Sequence, residues 1–234
     1  REQPMSALAT VVPLITAVII FSFALAVLAR YVRQPNRLPL LFWGLGLVFY
    51  GIGALAEAYH GIWGWQPLVY RAWYLAGAIL SAAWLGQGTI HLLAPRRVAA
   101  VLLVLLTVAS LFGAWRVFNA QLDPTRLVGS ELSGRAIITP GVRTLTPFFN
   151  IYGTLALFGG AAYSAWVFYR RKIRRNRMIG NVLIAVGALA PAVGGTLNRF
   201  GFGGLYLAEL AGAVLMYLGF LRSLRPEPGP AERT

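Results

Sequence analysis

The sequence has 234 residues, 58% of them hydrophobic and 12% charged, about half the charged share of a soluble domain. This composition points to a polytopic membrane protein. Cysteine is absent, which removes disulfides, thiolate metal sites and cysteine nucleophiles. The formal net charge is +14, but the basic residues fall between apolar segments. Topology and lipid headgroups therefore account for them, and nucleic acid is not an expected partner.

A spanning helix needs about 20 mostly apolar residues, and seven segments qualify. The first, Met5–Ala29, is longer than a signal-peptide core and lacks a clear small-residue cleavage site after it, so it is expected to stay as a helix. Pro13 inside it removes a backbone N–H and predicts a kink. "RYVRQPNR" separates it from Leu38–Tyr59, whose end carries "ALAEAYHG", a carboxylate and an imidazole in an apolar run. After "HGIWGWQP" comes Leu68–Leu93, with Arg71 and Tyr74 near its start and His91 near its end. "APRR" leads into Val98–Phe118. The longest break, Asn119 to Thr144, precedes Leu145–Phe168, which holds Asn150 in its first turns. "YRRKIRRNR" joins this to Met178–Leu197, which contains Pro191 and is followed by Asn198 and Arg199. The last segment, Phe202–Leu221, carries Glu209. Residues 1–223 thus form a seven-helix transmembrane domain. Residues 224–234, rich in Pro and Glu, are expected to be a disordered cytoplasmic tail.

Lysine and arginine fix the expected orientation. Fourteen lie in loops one, three and five and the tail, and seven lie on the other side. The positive-inside rule then puts the N-terminus outside and the C-terminus inside a plasma (inner) membrane. Loop 119–144 is external on this reading. Trp63, Trp65, Tyr70, Trp73 and Trp115 would form an outer aromatic belt. The lipid bilayer is the first expected partner, and the basic run Arg170 to Arg177 predicts contact with anionic lipid headgroups.

The sequence also suggests an internal repeat. "GALA" at Gly53 recurs at Gly187, and "LAGAIL" at Leu75 recurs as "LAGAVL" at Leu210. Pro13 matches Pro147, and Gly46 matches Gly180, at nearly the same offset. The fold class expected is all-α with a parallel three-plus-one-plus-three repeat. Its halves are about 5–93 and 145–221, with 98–118 as the linker helix.

Depth along the expected helices places Glu57, His60, Arg71, Tyr74, Asn150, Asn198, Arg199 and Glu209 in the outer half of the bundle. Ionisable groups inside a membrane face the interior and find partners. These eight residues are therefore candidates for a ligand-binding pocket. The structural alternative is a pair of interhelical ion pairs, Glu57 with Arg71 and Glu209 with Arg199. Sharper chemistries fail on residue counts. A di-iron site needs two Glu-x-x-His motifs, and a catalytic zinc wants about three ligands. Only His60 and His91 exist, at opposite depths. They cannot share one haem, although single-histidine ligation of a pigment or haem by either stays open. No nucleophile elbow occurs, and Lys172, the one lysine, lies in a loop. Metal and enzyme activity are not expected.

"GALAEAYHG" followed by "YRAWYLAGAILSAAWL" is similar to helices two and three of the seven-helix sensor region that precedes bacterial histidine kinases, within the broad transporter–opsin–receptor architecture. The similarity covers about a fifth of the chain. It implies a sensor- or receptor-like protein that binds a small ligand. With no kinase segment after the seventh helix in this sequence, the signal would pass to a separate membrane or cytoplasmic protein. Two other readings stay open: a structural subunit of a larger membrane complex holding a pigment, haem or lipid, and a small-solute transporter. The asymmetry of the polar set, in which Glu57 matches Pro191 and His60 matches Gly194, weighs against transport.

Overall fold

The computed structural model describes residues 7–127, 131–172, 174–199 and 204–226. Seven helices there are long and apolar enough to cross a membrane, as in a multi-pass membrane protein. They are α1 (Ala7–Arg33), α2 (Leu38–Trp63), α3 (Pro67–Leu93), α4 (Arg96–Phe118), α5 (Leu145–Arg170), α6 (Arg175–Arg199) and α7 (Leu205–Ser223). The described residues contain no named strand, and an isolated bridge pairs Leu122 with Ile137.

Several helices outrun their apolar segments. α1 continues to Arg33 and α5 to Arg170, while α4 starts at Arg96 and α6 at Arg175. Hydropathy falls at the first charge, but a helix runs on through the headgroup layer until a backbone breaker stops it. Gly64, at φ +80°, follows α2, and Gly204, at φ +87°, precedes α7. Pro67 sits in the first turn of α3, where its missing N–H costs nothing. Gln66 caps that turn by accepting from the Val69 N–H at 2.6 Å. The predicted starts Met5 and Phe202, and the tail from 227 onward, lie outside the described residues.

Large apolar side chains remain exposed along α4, among them Val101, Val104, Leu105, Val108 and Leu111. In water each would forfeit about 1.5–3 kcal/mol of burial. In hydrocarbon that exposure carries no such cost.

The chain divides into two compact units, Arg1–Ala156 and Leu157–Thr234, with α5 running from the first into the second. In unit 1, α1 packs along α2 and α2 along α3. The α2–α3 contact is drawn tight by glycine. A Cβ on Gly53 would stand 2.7 Å from the Gly77 Cα, and one on Gly46 would stand 2.6 Å from the Leu85 N. Gly61 closes on Ala9 and Thr10 of α1, and the Thr10 hydroxyl donates to the Gly61 carbonyl at 3.0 Å. Without a hydrophobic drive between helices in lipid, such close backbone packing is a main source of association.

Within α3, Trp73–Leu80 is π-helical. The contact residues explain why. At about 100° per residue, a seven-residue step returns a side chain to within about 20° of the same face, and an eight-residue step overshoots by about 80°. Gly46 and Gly53 are seven apart on α2, while their α3 partners Gly77 and Leu85 are eight apart. A π turn takes in one more residue per turn, so it brings both partners onto the α2 face.

In unit 2, α6 packs along α7 through Gly180, Gly187 and Gly194, each seven residues from the next. A Cβ on Gly180 would lie 2.5 Å from the Gly219 O, and one on Gly187 would lie 2.9 Å from the Gly212 O. Gly194 meets the Ala208 Cβ. Here the α7 partners Gly212 and Gly219 are seven apart, and α7 is regular.

Candidate functional site

A buried cluster of unit 1 sits where α2 ends and α3 begins. Glu57 is 2% exposed on α2, and its Oε1 accepts from the Trp73 indole N–H at 2.8 Å. Trp73 opens the π-helical segment. Tyr70, 1% exposed, packs against Trp65 at 4.8 Å and Trp73 at 5.5 Å between ring centroids. The Tyr74 ring stacks on Tyr70 with 15° between planes.

The loop between α4 and α5 folds over this cluster. Leu132, Ala136, Ile137 and Val142 are buried within it. The Tyr70 hydroxyl donates to the Ser133 carbonyl at 2.9 Å, and the Tyr74 and Thr146 hydroxyls are bonded at 2.8 Å. Arg71 Nη2 donates to the Ala120 carbonyl at 2.8 Å. Gly134 faces the Tyr74 ring, where a Cβ would stand 3.0 Å from Cε2. The loop is held across its own base by Asp123 N–H to Ala136 O at 2.8 Å and Ile138 N–H to Gln121 O at 3.1 Å. The Asp123 carboxylate accepts from the Thr125 hydroxyl at 2.5 Å and from Arg126 at 3.1 Å. The Thr125 hydroxyl bond, before the neighbouring Arg126 charge, holds the Asp123 carboxyl below its usual range. Residues 128–130 lie outside the described residues.

Four contacts clamp the π segment. Trp73 is tied to Glu57 and Tyr74 to Thr146. Asn150 Nδ2 donates to the Ala78 carbonyl at 3.0 Å, and Ser81 Oγ to the Gly77 carbonyl at 2.6 Å. A stretch whose own ladder is irregular is thus fixed from α2, from α5 and by Ser81 of α3 itself.

Unit 1 brings Glu57, Arg71 and Tyr74 to this cluster, with Asn150 of α5 bonded to the Ala78 carbonyl further along α3. His60 is half-buried one turn beyond Glu57 at the end of α2. Glu209 is half-buried on α7 in unit 2. Asn198 and Arg199 close α6, and their side chains lie outside the described residues. Of the expected outer belt, Trp63 and Trp115 are 67% and 59% exposed, while Tyr70 and Trp73 are buried. Their signal is the buried acid itself, since an indole N–H inside a membrane also needs an acceptor.

A second polar centre was not visible in the sequence. Gln87 on α3 is wholly buried. Its Nε2 donates to the Ala99 carbonyl of α4 at 3.0 Å, and its Oε1 accepts from the Tyr152 hydroxyl of α5. His91 Nδ1 lies 3.0 Å from the Gln87 side chain, and its ring packs on Phe42 at 4.4 Å. The flanking glycines give room for this: Gly86 closes on Gly153, and Gly88 on the Trp43 ring. "GQG" is therefore a crossing point of helices. Among the described residues, no three His, Asp or Glu converge as metal ligands. Comparison with protein-family models, with curated proteins and with solved structures finds no match for this chain.

Proposed function

We propose that this chain is a receptor- or sensor-like protein of the plasma (inner) membrane that responds to a small ligand at the loop end of unit 1. The observation that carries the reading is Glu57, a carboxylate 2% exposed and bonded to Trp73 at the start of a π-helical segment. A buried carboxylate is costly, π segments recur at functional sites, and here the two are one structure. A ligand that competes for Glu57 or lifts the loop from Tyr70 and Tyr74 changes what clamps the π segment. The response then travels along α3 toward the opposite membrane face, where a separate membrane or cytoplasmic partner would receive it. No catalytic role is proposed.

The finer topology belongs to the same proposal: N-terminus outside, C-terminus inside, with a three-plus-one-plus-three repeat. Two matched pairs of close contacts support the repeat. Gly53–Gly77 and Gly46–Leu85 in unit 1 correspond to Gly187–Gly212 and Gly180–Gly219 in unit 2. The eight-residue step in α3 against the seven-residue step in α7 makes the π segment a one-residue insertion in one half. Glu57 and His60 stand in unit 1 where unit 2 has Pro191 and Gly194, so the polar site belongs to the half with the inserted residue.

The test compares wild type with Glu57→Gln, which keeps an oxygen for the Trp73 N–H and removes the charge. Both are purified and melted against a panel of small polar and cationic metabolites. A compound that raises the Tm of wild type and leaves Glu57→Gln unmoved supports the reading. If Glu57→Gln lowers the Tm and no compound separates the two proteins, Glu57 is a structural group and the reading falls.

A further inference from the structure

The turn between α5 and α6 forms a groove with no part in the sensing reading. It lies within unit 2, has a volume of about 480 Å3, and is lined by Phe168, Tyr169, Arg170, Lys172, Arg175 and Met178. That volume falls in the range of small-ligand sites, roughly 300–1,000 Å3. Half of the lining is cationic, and the sequence from Trp166 to Met178 contains no Asp or Glu. Phe168 and Met178 supply an apolar floor.

The cations are placed by structure as well as by sequence. Arg170 lies over the Trp166 ring, its Cζ 5.6 Å from the centroid, which holds the guanidinium at the helix end. Arg175 opens α6, whose first-turn N–H groups lack helical acceptors and carry the positive end of the helix dipole. Lys172 and Arg174 both have left-handed backbones, φ +49° and +52°, where glycine is the less strained residue. A basic run alone predicts diffuse attraction to headgroups. A run folded around a half-apolar groove does more, because it has a shape.

We propose that this groove binds one anionic phospholipid, its phosphate held by Arg170, Lys172 and Arg175 and its glycerol and first acyl carbons against Phe168 and Met178. The lining selects the class. A free phosphate would leave Phe168 and Met178 uncovered at the end of two membrane-spanning helices. A zwitterionic lipid would bring an ammonium group to three cations with no carboxylate among the lining residues to receive it.

The test is native mass spectrometry of the full chain with phosphatidylglycerol or phosphatidylcholine, at an ionic strength that screens diffuse attraction. Wild type is expected to retain one phosphatidylglycerol. Lys172→Gln with Arg175→Gln weakens that retention roughly tenfold or more, the scale of charged hydrogen bonds. Arg171→Gln with Arg177→Gln removes the same charge outside the groove and leaves retention unchanged. Met178→Trp fills the floor, keeps every charge, and also loses the lipid, which covers the case in which the cation variant does not fold. Equal loss in both charge-matched pairs overturns the site in favour of diffuse attraction. Equal retention of phosphatidylcholine overturns the headgroup assignment. Displacement of the lipid by inorganic phosphate or glycerol phosphate overturns the lipid in favour of a soluble anion. None of these outcomes depends on the ligand at Glu57.

Discussion

At the residue scale, the molecule turns on how it satisfies a few polar groups where water is scarce. Glu57 and Trp73 solve each other's problem, since one needs a donor and the other an acceptor, and both are buried. Arg71, two residues from Trp73, instead reaches the Ala120 carbonyl and ties the loop to α3. Replacing Trp73 by Phe keeps most of the ring volume and removes the N–H from a buried carboxylate. The expected cost is about 1–3 kcal/mol, read as a shift in detergent unfolding. Trp115→Phe is the matched control, because Trp115 is 59% exposed, and it is expected to change stability by no more than about 0.5 kcal/mol. If the two variants melt alike, the Glu57–Trp73 bond contributes nothing to the fold. Glu57 was legible in the sequence because a charge in an apolar run is conspicuous. Trp73 was not, because a tryptophan near a membrane interface reads equally well as belt or as core. Gln87 was hidden for a related reason: an amide carries no charge that would call for a counter-ion, although its burial demands partners just as firmly.

At the element scale, the spans were legible to within a few residues because the bilayer imposes length and apolarity together. Their packing was legible only in part. Small residues announce close helix contacts, but they do not say which glycine meets which helix. The π segment gave no such sign: Gly77 and Leu85 share a face eight residues apart, a spacing that hydropathy does not tell from seven. The loop gave little warning, because its buried Leu132, Ala136, Ile137 and Val142 are scattered among polar residues without a period. The glycine contacts carry a direct prediction. In Gly53→Leu the new side chain meets the Gly77 backbone, which no rotamer change can move aside. Overpacking of this kind is expected to cost about 1–3 kcal/mol. In Gly113→Ala the Cβ meets the Leu145 Cδ1 at an ordinary 4.0 Å, and helix propensity favours alanine by about 0.5–1 kcal/mol. Unfolding of the two variants should therefore shift in opposite directions. A stable Gly53→Leu would mean that α2 and α3 do not meet as described.

At the scale of the whole molecule, charge and site bear on the same question of sidedness. The proposed orientation, drawn from the arginine count, would put loop 119–144 outside and Arg96, Arg97 and the Arg170–Arg177 run inside. On that orientation the folded loop would cover Tyr70 and Tyr74 on the face a ligand would reach, and the cationic groove would meet the leaflet richer in anionic lipid. One reversal of topology would break both assignments, so orientation is the measurement on which they jointly depend. The chain has no cysteine, so single cysteines can be placed without a background. Thr125, in the loop that folds over the cluster, and Arg97, at the start of α4, are suitable positions. A membrane-impermeant maleimide is expected to label Thr125→Cys on intact cells, and Arg97→Cys only after the membrane is opened. The opposite pattern would place the aromatic cluster on the cytoplasmic side. The Glu57 site would then answer to an intracellular ligand, and the groove at Arg170–Arg175 would face away from the leaflet that supplies its lipid.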